Sequence, residues 1–121
     1  MVPNRRHMLS TSVPLLKLAT LAIVLALPAL AQDEAEALFK ARCARCHGID
    51  GSSKTDAGKK MGIPDLRSPK VQRLSDAELF ETIAHGKDHR NYPHVFSELG
   101  LSDQQVKSLV KHLRTLAALR H

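Results

Sequence analysis

The segment Cys43-Ala44-Arg45-Cys46-His47 decides how this chain is read. It holds both of the chain's cysteines, and Cys-x-x-Cys-His is the spacing of a covalent c-type haem attachment site. Two thiols three residues apart can each add to one vinyl group of the ring. The next residue then carries an imidazole under the iron. The competing readings are a surface disulfide, a redox dithiol and half of a zinc site. Two cysteines cannot make a Cys₄ zinc centre, and a Cys₂His₂ centre would need a distant fourth ligand. A thioredoxin-like dithiol expects a βαβ context, and no strand pattern precedes this segment.

The first thirty residues agree with that reading. Arg5, Arg6 and Lys17 give a positive start, and Leu18 to Leu30 is almost wholly apolar. Ala29-Leu30-Ala31 supplies a small-x-small cleavage site, so residues 1–31 are expected to be a cleavable secretory signal peptide. An uncleaved membrane anchor is the lesser alternative, because a span needs about 20 apolar residues. Asn4-Arg5-Arg6-His7-Met8-Leu9 has paired arginines, but a twin-arginine route carries folded proteins. Covalent haem is attached to an unfolded exported chain. The expected location is the periplasm or the exterior, with no membrane span after cleavage.

Cleavage after Ala31 leaves residues 32–121 as one small domain. Removing Arg5, Arg6 and Lys17 from the 18 Lys+Arg leaves 15 against 12 Asp+Glu, a net of +3 rather than +6. Nucleic-acid binding calls for a basic stripe with interleaved aromatics, and the whole chain has one Tyr and three Phe. Mild positive charge suits steering toward an acidic protein partner instead. A domain of this length buries a modest core, and a haem would add a large apolar disc to pack around.

Three helical segments are predicted. Asp33 to Arg45 has acids in its first turn and cations in its last, with Leu38 and Phe39 on an apolar face. Gly48 to Lys60 reads as a loop. Ser75-Asp76-Ala77-Glu78 is a capping box whose helix stops at Gly86, with Leu79, Phe80 and Ile83 on its inner side. Ser102-Asp103-Gln104-Gln105 opens a second capped helix through about Leu119. Its Val106, Leu109, Val110, Leu113 and Leu116 follow the spacing of a buried stripe.

These residues together resemble a class I bacterial cytochrome c domain, the single-domain monohaem type, over nearly all of residues 32–121. Phe39-Lys40-Ala41-Arg42 leading into Cys43-Ala44-Arg45-Cys46-His47-Gly48 is similar to the family's aromatic-xxx-CxxCHG opening. Ile83-Ala84-His85-Gly86-Lys87, Leu101-Ser102-Asp103 and Leu109-Val110-Lys111-His112-Leu113-Arg114-Thr115-Leu116 resemble the approach to the distal loop and the last helix. The resemblance implies an all-α fold of three to five helices around one covalent haem c. It implies that Cys43 and Cys46 hold the ring and that His47 is the proximal iron ligand. In Ile63-Pro64-Asp65-Leu66, it implies that the Pro64 carbonyl accepts a hydrogen bond from His47, orienting the ring. The first and last helices should cross and bury Phe39 near Leu109 and Leu113. His112 stands where the family often has a Tyr.

The distal loop departs from the family pattern. A Met-Pro pair is expected there, with the Met sulfur as sixth ligand, but Tyr92 stands directly before Pro93. Of the three Met residues, only Met61 lies outside the signal peptide, and it precedes Pro64. The candidates are His94 and His89 as imidazoles, Tyr92 as a phenolate, and Met61 if its loop folds over. An imidazole is favoured, His94 before His89 because it adjoins Pro93. His85, His112 and His121 read as surface or helix-end residues.

The expected function is a non-enzymatic, monomeric one-electron carrier. Its partners would be redox proteins, chiefly membrane-associated oxidoreductases. The alternative is a haem sensor or weak peroxidase-like enzyme with an open or displaceable distal ligand, in which His89, His94 and Arg90 would be the only acid–base groups. A third option is an accessory haem subunit of a membrane oxidoreductase. Lys54, Lys59, Lys60, Lys87 and Arg90 either surround an exposed haem edge or form a solvated face.

Overall fold

A computed structural model describes residues 30–88 and 94–119 of the chain. The expected signal peptide lies outside the described residues up to position 29, as do His89, Arg90, Tyr92 and His121. Among the described residues every regular element is helical and none is a strand. Helix α1 runs over residues 30–42. It is followed by α2 (Ala44–His47), α3 (Asp56–Met61), α4 (Pro69–Gln72), α5 (Asp76–His85) and α6 (Asp103–Ala118). Four of these segments exceed a single turn, within the range expected from the sequence.

Both predicted capping boxes form. The Ser75 hydroxyl accepts from the Glu78 N–H at 3.2 Å, and Glu78 reaches back to the Ser75 N–H at 2.8 Å. Ser102 and Gln105 repeat the exchange at 3.2 and 3.0 Å. Each box satisfies two donors that a helix start leaves without intrahelical partners. Helix α5 ends at Gly86 in the left-handed conformation, φ 70°, as its glycine predicts.

Two expectations about the extent of the helices need correction. The first helix does not run unbroken to Arg45: it ends at residue 42, and Cys43 makes a turn before the separate α2. The stretch Gly48 to Lys60 is not all loop, because α3 begins at Asp56. Thr55 caps it by accepting from the Gly58 N–H, and Gly62 closes it in the left-handed region. Helix α4 also went unread, although Ser68 as cap with Pro69 in the first turn is a standard start signal.

The core lies where α1, α5 and α6 meet. Phe39, Ala84, Phe96, Leu101, Val106, Leu109 and Leu113 form one buried cluster, and Val71, Leu79 and Val110 form a second. The predicted α6 stripe faces inward as expected, with Leu116 half-buried at its end. Phe39 is 2% exposed and shares its cluster with Leu109 and Leu113, so the first and last helices pack as the resemblance implied. Burying a Phe or Leu side chain stabilises by about 1.5–3 kcal/mol.

A polar clamp joins α6 to the chain between α4 and α5. Arg114 donates to the carbonyls of Gln72 (3.0 Å) and Leu74 (2.6 Å) and to the Asp76 carboxylate (2.8 Å). Gln72 in turn donates to the Leu66 carbonyl at 2.7 Å. Two of these acceptors are carbonyls at or beyond the C-terminal end of α4, where a cation is favoured.

His112 is not the surface residue expected from the sequence. It is half-buried, its ring centroid 5.0 Å from that of Phe39 at an interplanar angle of 51°. Burial pushes its pKa below the ordinary 6.5, Glu36 partly opposes this, and Lys40 adds to it. The folded state therefore holds a neutral imidazole at the helix crossing. As pH falls through 6.5 the unfolded chain takes up the proton first, so stability is intact above that pH and lost below it. The Glu36 and Glu78 carboxyls are held below their ordinary 4.5, by Lys40 and by Ser75 respectively, so their contribution fades only at lower pH. The holoprotein should thus lose stability in denaturant titrations as pH falls below 6.5, and His112→Phe should flatten that slope. An unchanged slope in the variant would refute a neutral His112 at the crossing.

Candidate functional site

The site is built on one turn of helix. Positions 43, 46 and 47 are related by three and four residues, so their side chains fall on one helical face. The backbone enforces that turn: the N–H groups of Cys46 and His47 both donate to the Cys43 carbonyl, at 3.2 and 3.0 Å. The turn hangs directly from α1, since the Cys43 N–H donates to the Phe39 carbonyl at 2.8 Å. Phe39 in the core and the Cys43–His47 turn are thus one rigid unit.

The far end of the turn is pinned from below. The Thr55 hydroxyl donates to the Cys46 carbonyl at 2.6 Å, and the Ser53 N–H donates to the His47 carbonyl at 2.8 Å. Gly58 makes the close approach possible. A Cβ there would lie 2.2 Å from the Ser53 carbonyl oxygen and 2.7 Å from that of Cys46. Ser53, buried, adopts φ 58°, a left-handed conformation uncommon for a non-glycine residue. Its hydroxyl donates to the Pro64 carbonyl at 2.8 Å. The loop after the motif is therefore tied both to the motif and to the 62–67 segment. Arg67 reinforces that segment, pairing with Asp65 at 2.9 Å and Asp50 at 3.5 Å.

These elements surround a cavity of about 410 Å³, lined mainly by apolar side chains. That volume falls in the range of small-molecule and cofactor sites, about 300–1,000 Å³. Cys43, His47 and Pro64 border it on one side; Leu79 and Ile83 of α5 line the wall, and Leu109 and Leu113 of α6 the back. His47 is 8% exposed, with its Nδ1 buried. Burial raises the free Cys43 thiol to about 11, with Arg42 opposing, so the unmodified side chain is a neutral thiol at pH 7.

His94 borders the same cavity. Its ring centroid lies 5.8 Å from that of His47, with the planes 28° apart. Of the other distal candidates, His89 and Tyr92 lie outside the described residues. Met61 ends α3 and is not among the described residues that border the cavity. Of the cations considered from sequence, Lys54, Lys59, Lys60 and Lys87 are exposed, and Lys87 reaches the cavity rim together with Lys70. His85 is exposed at the C-terminal end of α5, as expected.

The chain matches the cytochrome c family over residues 32–117. It belongs to that family. A comparison with curated proteins finds no match. The cytochrome c assignment accounts for the all-α fold, and the chain conforms to a small class I monohaem cytochrome. The family's cofactor is covalent haem c, and Cys43, Cys46 and His47 stand in its attachment spacing. The residues fit that group on independent grounds: an apolar cavity of suitable size has a thiol and an imidazole on one wall. The cytochrome's role is haem-based electron transfer with redox-partner proteins. Among the described residues no helix is long and apolar enough to cross a membrane.

Sequence reading missed the Ser53–Thr55–Gly58 support, because each contact depends on a backbone atom elsewhere in the fold. Its one local signal was Thr55 three residues ahead of Gly58, a cap. Gly58→Ala should lower the stability of the holoprotein by about 1–3 kcal/mol, the usual cost of overpacking. Thermal unfolding checks this, and an unchanged midpoint would show that α3 does not press on the haem-motif turn.

Proposed function

We propose that this cytochrome is an exported, monomeric one-electron carrier whose haem is held by Cys43 and Cys46 and ligated from below by His47. The observation that carries the reading is that Cys43 and His47, from a single pinned turn, both border one apolar cavity. A bound haem c supplies a one-electron couple at its iron. The chain's contribution is placement and exclusion of water. Phe39, Leu109 and Leu113 close the back of the cavity. The Pro64 carbonyl is proposed to accept from the His47 imidazole; it already accepts the Ser53 hydroxyl, and a carbonyl oxygen has two lone pairs. Such a bond would fix the ring's tautomer and orientation and raise its basicity.

Export rests on the signal-like residues 1–31, and the mature net charge of +3 suits acidic docking faces on membrane-associated oxidoreductases. Mass spectrometry of the purified mature chain should show an N-terminus at Gln32 and the added mass of one haem. Cys43→Ser combined with Cys46→Ser should abolish haem that survives denaturation, and each single variant should reduce it. Covalent haem persisting in the double variant would overturn the attachment site. Retention of residues 1–31 in the mature protein would overturn cleavage.

A further inference from the structure

Resting on the reading that His47 ligates a haem from one side, we infer that the imidazole of His94 is the second axial ligand, so that the iron is held between two imidazoles.

Three observations converge on His94. The first is its geometry. Two imidazoles on opposite sides of one metal ion, each bonded at about 2.0–2.1 Å, place their ring centres roughly 6 Å apart. The observed centroid separation is 5.8 Å. An offset aromatic pair covers a similar range, about 4.5–7 Å. What distinguishes this pair is that both rings border the apolar cavity that also carries the Cys43 thiol.

The second is how His94 is held. The chain after it hooks onto the end of α5. The Phe96 N–H donates to the Ile83 carbonyl and the Ser97 N–H to the Ala84 carbonyl, each at 3.2 Å. These carbonyls belong to the last turn of α5, where intrahelical donors run out. Gly86 allows the close seating: a Cβ there would lie 2.9 Å from the His94 carbonyl oxygen. The Phe96 ring, 9% exposed, packs against the imidazole with centroids 5.8 Å apart. A loop histidine in solvent needs none of this. A ligand that must stay within bonding distance through many redox cycles needs all of it.

The third is the ligand that is missing from the expected place. The only methionine outside residues 1–31 is Met61, which ends α3 and is not among the described residues that line the cavity. The thioether that would raise the potential is replaced by a stronger σ-donor. Two neutral imidazoles stabilise ferric relative to ferrous iron better than imidazole and thioether do. This cytochrome therefore works at the low-potential side of its family and exchanges electrons with correspondingly reducing partners.

The test is electron paramagnetic resonance and optical spectroscopy of the purified holoprotein and its variants. The wild type should be low-spin in both oxidation states, with a bis-imidazole rather than an imidazole–thioether signature. His94→Ala should become high-spin, bind carbon monoxide when reduced, and return to low spin on addition of free imidazole. His89→Ala, Tyr92→Phe and Met61→Leu should each keep the wild-type spectrum. If His94→Ala folds poorly, His94→Met provides the second arm: it should remain low-spin, acquire the imidazole–thioether signature and shift to a higher potential. A low-spin spectrum surviving in His94→Ala, or a His94→Met spectrum identical to wild type, would overturn the assignment. So would a high-spin wild type. In each of these cases covalent haem in the denatured protein would still report the attachment separately.

Discussion

The constraint on which the rest of this structure depends is an apolar cavity that the chain cannot fill from its own side chains. Left empty, a cleft of about 410 Å³ leaves its apolar lining in water, and apolar surface covered by a ligand stabilises by about 25 cal/mol per Å². In a small domain, whose net stability is only about 5–15 kcal/mol, that contribution is a large share. The fold is therefore one of a protein and its prosthetic group together, and the helices are arranged as a container. Helix α1 brings the attachment turn to the cavity, α5 and α6 supply much of its lining, and His94 borders it as well.

The two sides are held by different means. The His47 side is rigid because one helical turn is bonded to α1 above and to Ser53 and Thr55 below. On the His94 side, residues 94–97 are hooked by two hydrogen bonds to the last turn of α5. An electron carrier benefits from a site that changes little between oxidation states, because structural rearrangement adds to the barrier for transfer. The clamp of Arg114 on Gln72, Leu74 and Asp76 serves the same end, locking α6 to the chain that leads into α5.

Much of this was legible in residues 33–119 read as a string. The Cys43–His47 spacing announced the attachment site, two capping boxes announced α5 and α6, and the Val106–Leu113 stripe announced the buried face. What stayed hidden depends on distant partners. Gly58 reads as loop composition until the carbonyls of Ser53 and Cys46 are found beneath it. His112 reads as a polar helix residue until Phe39 is found against it. Arg114 reads as one more surface cation, because its acceptors lie about forty residues back along the chain. The preference for His94 could be stated from Pro93 beside it, but its seat on Ile83, Ala84 and Gly86 could not. The break at Cys43 was also illegible, since good helix formers continue on both sides of it.

If the cofactor completes the core, its removal should loosen the helices packed around it. Native-state amide hydrogen exchange on the holoprotein and on the same chain freed of haem tests it most directly. Exchange should be slow at Cys43, Val106, Leu109 and Phe96 in the holoprotein, and that protection should be lost throughout α1, α5 and α6 once the haem is removed. A haem-free chain that kept native protection at the α1–α6 crossing would show that these helices pack without the cofactor.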